Sequence, residues 1–180
     1  MKTITVFSTP VPLKGFIHWC LLFVLYLLAL AVAAVVTPFL PIFATKDARL
    51  PKWLDWFMMP DNDLDGDNGW KTEHTLWRKN LPPKTAQYIC RVLWLYRNPL
   101  YNFSIRFLGA PKSSVKPTVK GPAWNNQTGI YKDHYWMIYY MGPSFIKGKR
   151  IKIYLGWKLK TENFDTYQLA VQFNPFKTDR

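Results

Sequence analysis

Gly15 to Val36 reads GFIHWCLLFVLYLLALAVAAVV, a run without one charged side chain. A helix needs about 20 predominantly apolar residues to cross a hydrocarbon core of roughly 30 Å, and a lone segment in lipid must be helical to satisfy its own backbone. Three readings meet these conditions. A cleaved signal peptide has an apolar core of about 7–15 residues ending at small residues. This run is longer and continues through TPFLPIFA to Ala44, although Ala31, Ala33 and Ala34 imitate a cleavage site. A buried core helix that is apolar all round belongs to larger proteins. The expectation is therefore a single transmembrane helix over residues 15–36, or a variant of it broken near Pro38 and Pro41. Residues 1–45 then form an N-terminal segment with a membrane anchor.

Lys2 and Lys14 precede the run, and Lys46, Arg49 and Lys52 follow it. Lys and Arg next to a span mark the cytoplasmic side. The bias places the C-terminal domain in the cytoplasm of a single-pass protein. Cys20 lies in the span and Cys90 in the remainder, which argues against an internal disulfide.

Residues 46–180 suffice for one domain. Its charge is segregated. Six acids and one base lie between Asp55 and Glu73; sixteen Lys or Arg and one acid lie between His74 and Lys160. A basic body beside a membrane suits anionic lipid headgroups, at about 1 kcal/mol per cation near the surface. An acidic protein and nucleic acid are the other partners that such charge attracts. Trp and Tyr favour the membrane interface. Trp53, Trp56 and Phe57, directly after the anchor at helical spacing, form an expected interfacial belt; packing into the core is the alternative.

Leu50 to Met59 reads as a short amphipathic helix, and Gly69 to Asn80 as another. Thr85 suits an N-cap for a helix over Ala86 to Arg97. Tyr101 to Leu108 alternates Phe103, Ile105 and Phe107 with polar residues, which predicts a strand. Pro111, Pro117 and Pro122 with three lysines make residues 109–122 a Pro/Lys loop. Strands follow at Tyr135 to Met141, Arg150 to Lys160 and Thr166 to Phe173. In the second of these, Ile151, Ile153, Leu155, Trp157 and Leu159 should be buried. Lys152, Lys158 and Lys160 should form a solvated basic face. The expected fold class is α+β: a transmembrane helix, then two or three helices packed on a three- to four-stranded antiparallel sheet.

The densest polar cluster is Asp61, Asp63, Asp65 and Asp67 in DNDLDGDNG. Asp-x-Asp-x-Asp-Gly opens an EF-hand calcium loop, whose twelfth position is a bidentate Glu. Here that position is Thr72. Three uses of the turn stay open: a Ca²⁺ site on the four carboxylates, a structural turn in which Asp side chains cap amides, and a docking point for the basic body. Catalytic patterns are absent. There is no G-x-S-x-G, no P-loop and no G-x-G-x-x-G, and neither zinc spacing nor an acid–His dyad is present. A non-enzymatic role is the expectation. The Lys152–Lys158–Lys160 face with Tyr154 has the mix used on single-stranded nucleic acid but lacks an RNA-binding aromatic motif.

PDNDLDGDNGW at Pro60 to Trp70, WLYRNPLYNF at Trp94 to Phe103 and NPF at Asn174 to Phe176 together resemble a family of uncharacterised tailed-bacteriophage proteins. Those proteins have a hydrophobic N-terminus and a PDNxLDGDxGW signature. The resemblance covers most of Leu50 to Phe176. It implies a phage origin and a host inner membrane, and supplies no catalytic residue. Two roles follow from it. One is an accessory membrane protein for envelope remodelling or superinfection exclusion. The other is a virion component, a minor tail or ejected protein, whose apolar segment is buried in the particle or enters the host membrane.

Overall fold

The structure is a computed structural model and describes residues 2–73, 80–122, 126–143, 148–161 and 163–178. Strands β1 (Thr3–Val6) and β2 (Thr9–Pro12) form a hairpin that turns at Phe7 and Ser8, both at positive φ. Leu13 donates its amide to the Lys2 carbonyl, 3.0 Å away. Helix α1 (Leu13–Val36) starts there. It ends where Pro38 and Pro41 remove amide donors, and the chain tightens into a 3-10 helix, Thr37–Phe43. The apolar run is thus one continuous helix, two residues longer at its start than the sequence suggested.

The chain forms two compact units, one of Met1–Val24 with Ser104–Arg180 and one of Leu25–Phe103.

In the Leu25–Phe103 unit, Leu40, Leu50, Leu54, Met58, Leu64 and Leu95 make the core. The stretch expected as a helix over Leu50–Met59 is instead turns and a 3-10 turn, Asp55–Phe57. The Leu50 amide donates to the Met58 sulfur and not along a helix. Helix α2 (Asn68–Glu73) follows the acidic turn, and the rest of the expected helix, residues 74–79, lies outside the described residues. Helix α3 (Pro83–Arg97) begins at Pro83, earlier than the Thr85 cap implied, because proline suits a first helical turn. Helix α4 (Tyr101–Arg106) replaces the predicted strand. Asn102 explains why: its amide donates to the Met58 carbonyl and its side chain to the Asp55 carbonyl, so a polar residue is the buried one.

In the other unit, β4 (Thr118–Lys120), β5 (Gln127–Tyr131), β6 (Tyr135–Gly142), β7 (Lys149–Trp157) and β9 (Leu169–Thr178) form an antiparallel sheet in the order β4-β5-β6-β7-β9. It is one strand larger than expected. The Pro/Lys loop supplies β4, and also β3 (Ala110–Pro111), which pairs with β8 (Thr166–Tyr167). Strand β6 is apolar on both sides because both are covered; Trp136 and Met137 are each 0% exposed. Gly156 crosses β6 at φ +89°, where a Cβ would come within 2.1 Å of the Trp136 carbonyl oxygen. The fold class is α+β as expected, a long apolar helix followed by short helices and antiparallel sheets.

Candidate membrane-contact surface

α1 with its 3-10 extension, Leu13–Phe43, is the one segment among the described residues long and apolar enough to cross a membrane. Its burial is one-sided. In the unit holding its first turns, Gly15 and Trp19 face protein while Ile17 and Leu21 are exposed. A Cβ on Gly15 would meet the His134 carbonyl oxygen. The Trp19 indole donates to the Ala170 carbonyl at 3.3 Å, and its ring lies 5.5 Å from that of Trp136. His18 and His134 share a hydrogen bond of 3.0 Å between their rings. Burial, then His18 and Lys14, hold the His134 imidazole below its usual pKa. Sequence reasoning set His18 aside as part of the anchor and so missed this pair.

In the Leu25–Phe103 unit the inward residues are Ala33, Thr37 and Leu40, and the outward ones include Leu28, Val32 and Val35, the last 70% exposed. Tyr96 donates its hydroxyl to the Ala34 carbonyl at 2.7 Å, and Tyr26 reaches the Pro99 carbonyl at 3.4 Å. Tyr88 donates to the Pro38 carbonyl. Spacings of three and four residues put the outward set on one face. That face is entirely apolar, which a water-facing helix does not tolerate over this length.

The expected aromatic belt does not lie on an α-helix: Trp53 is in a turn, and Trp56 and Phe57 are in the 3-10 turn. Trp53 is 62% exposed and its ring meets Phe43 edge-on at 5.7 Å, so it continues the apolar surface past the 3-10 helix. Trp56 is partly exposed, and its indole donates to the Trp53 carbonyl. Phe57 turns inward against the leucine core.

The basic face is less wet than its alternation suggested. Tyr154, between Lys152 and Lys158 in the pattern, is buried, and its hydroxyl donates to the Met137 sulfur. Lys158 donates to Gln168, which in turn donates to the Ser104 hydroxyl at 2.6 Å. Burial, then the charge of Lys152, lowers the Lys158 pKa to about 8. Lys152 is half-buried with its pKa lowered by burial and then Lys177, and only Lys160 is exposed. On the other face Trp157 and Leu159 are buried as expected, whereas Ile151, Ile153 and Leu155 are half-buried. Ile151 and Ile153 line a cleft of about 520 Å³ with Phe7, Ile138 and Phe173.

The four aspartates of the acidic turn do not converge. Asp63 accepts the Asp65 amide at 2.9 Å, and Asp67 accepts the Trp70 amide at 2.7 Å, capping α2. Asp65 binds Arg91 through two contacts, 2.7 and 3.1 Å, and also accepts from Gln87. Hydrogen bonding from Arg91 holds its carboxyl below the usual pKa. Asp61 is exposed. The geometry is that of a turn held by amides and an arginine, and among the described residues no three His, Cys, Asp or Glu side chains gather as a metal site. Neither Cys20 nor Cys90 is in a disulfide, and Cys90 is fully buried.

A family profile matches residues 11–180. The chain belongs to DUF7338, a family of unknown function. The DUF7338 match spans α1 and the five-stranded sheet alike, so helix and sheet belong to one stretch of family sequence. No curated protein and no solved structure matches the chain.

Proposed function

We propose that this protein is a membrane-anchored accessory protein of a bacteriophage, acting without chemistry of its own at the host inner membrane, in envelope remodelling or superinfection exclusion. The observation that carries the membrane part is the outward apolar face of α1. Burying a side chain such as Leu28 or Val32 in lipid gains about 1.5–3 kcal/mol. The net charge of +13 adds attraction to anionic headgroups. Lys2 and Lys14 before the helix, and Lys46, Arg49 and Lys52 after it, favour the cytoplasmic side. The nucleic-acid alternative loses support, because Tyr154 and Lys158 face protein and cannot offer a stacking platform. The phage assignment rests on the PDNDLDGDNGW, WLYRNPLYNF and NPF resemblance.

The test is fractionation of producing cells, together with a mass-spectrometric census of purified phage particles. The proposal expects the protein in the inner membrane and not in particles. Stoichiometric recovery in particles would replace it with the virion reading, in which the same apolar face is buried in the assembly.

A further inference from the structure

Resting on the membrane reading above, we infer that α1 lies in the plane of the membrane, bedded in one leaflet by its outward face, and does not cross the bilayer. The strongest reason is which residues share a compact unit. Residues before the long apolar run, Thr3–Pro12, and residues far after it, Ser104–Arg180, belong to the same one. Strand β2 packs on β6, and the first turns of α1 pack on the sheet through Gly15 at the His134 carbonyl, Phe16 against Trp136 at 6.1 Å, and Trp19 on Ala170. A single crossing would put the hairpin and the sheet on opposite sides of roughly 30 Å of hydrocarbon. To return, the chain would need a second spanning segment, and among the described residues α1 with its extension is the only one that qualifies.

The other unit agrees independently. Tyr96 and Tyr26 tie α1 to α3 and the residues just after it, at Ala34 and Pro99. α3 carries Arg91 and Arg97, and Arg91 holds Asp65. If α1 crossed the membrane, these groups would sit beside it at hydrocarbon depth, where ionised side chains are costly. Bedded sideways, α1 gives lipid exposed residues such as Leu28, Val32 and Val35, while Ala33 stays against protein. An interfacial helix inserts its apolar face about 5–10 Å. At roughly 36 Å long, α1 presents a substantial strip to one leaflet. The flanking charges also fit. Cations at both ends hold both ends on one side, which a single crossing cannot satisfy.

The experiment uses the full chain made in bacteria, with Cys20→Ser as background and buried Cys90 left in place. Lys2→Cys and Lys120→Cys, both at exposed positions, are introduced singly. Each is exposed to a membrane-impermeant maleimide in spheroplasts and in inverted inner-membrane vesicles. The inference expects full labelling of both positions in inverted vesicles and none in spheroplasts. Both reacting only in spheroplasts would keep the in-plane seat and move it to the outer face. Labelling of the two from opposite sides would overturn the inference and leave the membrane reading intact. Recovery in the soluble fraction would overturn both.

Discussion

Gly15, in the first turn of α1, lies so close to the turn before β6 that a Cβ there would stand 1.7 Å from the carbonyl oxygen of His134. The contact joins residue 15 to residue 134 across the whole intervening chain. It lets Trp19, one turn on, seat against Trp136 and Ala170.

Gly15→Val therefore pushes α1 off the sheet. Overpacking against fixed backbone costs about 1–3 kcal/mol, and thermal unfolding in mild detergent should show it as a lowered midpoint. Lys14→Ala, one exposed residue earlier, should change stability by less than about 0.5 kcal/mol. Equal effects from the two would mean that α1 does not rest on the sheet.

The acidic turn predicts a pH-dependent result. The Arg91 hydrogen bond lowers the Asp65 pKa. A carboxyl with a depressed folded pKa contributes stability above its unfolded pKa, and that contribution is lost as pH falls through the folded value. Asp65→Asn should cost about 1 kcal/mol at neutral pH, a figure already discounted for the solvent around a partly exposed pair. The difference from wild type should vanish in urea unfolding below the ordinary carboxylate range. Because amides and Arg91 hold the turn, a chelator should leave the melting temperature unchanged. Asp63→Ala should lower it by removing the Asp65 amide's acceptor.

Lys158 predicts a slope of the same sign in an alkaline window. Its pKa is lowered to about 8, against a usual lysine value of 10.5. From about pH 8 upward the folded state holds fewer protons than the unfolded chain, so stability rises with pH. Wild type should gain roughly 1–2 kcal/mol up to about pH 9.5. Higher still, tyrosines such as Tyr139, whose pKa burial raises, pull the other way. Lys158→Met should flatten most of this rise. An unchanged slope in that variant would show the ammonium to be solvated.

The strand expected over Tyr101 to Leu108 was misread for a physical reason. Tyr101 to Leu108 alternates like a strand, but the residues that go inside are Asn102, Ser104, Ile105 and Leu108, and Phe107 is exposed. Asn102 and Ser104 are buried as hydrogen-bonding partners of distant backbone and of Gln168. Hydrophobic periodicity carries no sign of such a partner. The alternation of β7 was read correctly, and its antiparallel pairing with β6 and β9 follows. Its polar-looking side is nonetheless covered, because Tyr154 and the Lys158 stem are amphipathic and pack as apolar groups. The anchor was legible as a helix because nothing competes with so long an apolar run. Its one-sided burial was not legible, since a helix apolar all round does not announce which face meets protein. In the acidic turn the structural alternative was visible in the Asp spacing, while Arg91 as the partner of Asp65 depended on tertiary packing.

The most direct test of the account asks whether the outward face of α1 is what holds the protein to lipid. Full-length protein and the variant Leu28→Glu with Val32→Glu and Val35→Glu are mixed with vesicles containing anionic phospholipid and floated on a density gradient. Each carboxylate on that face should cost a few kcal/mol of membrane affinity and leave the protein side of α1 untouched. The account predicts that the wild type floats and that the triple variant stays in the dense fractions with an unchanged circular-dichroism spectrum. A triple variant that is folded and still floats, or a wild type that never leaves the dense fractions, would contradict it.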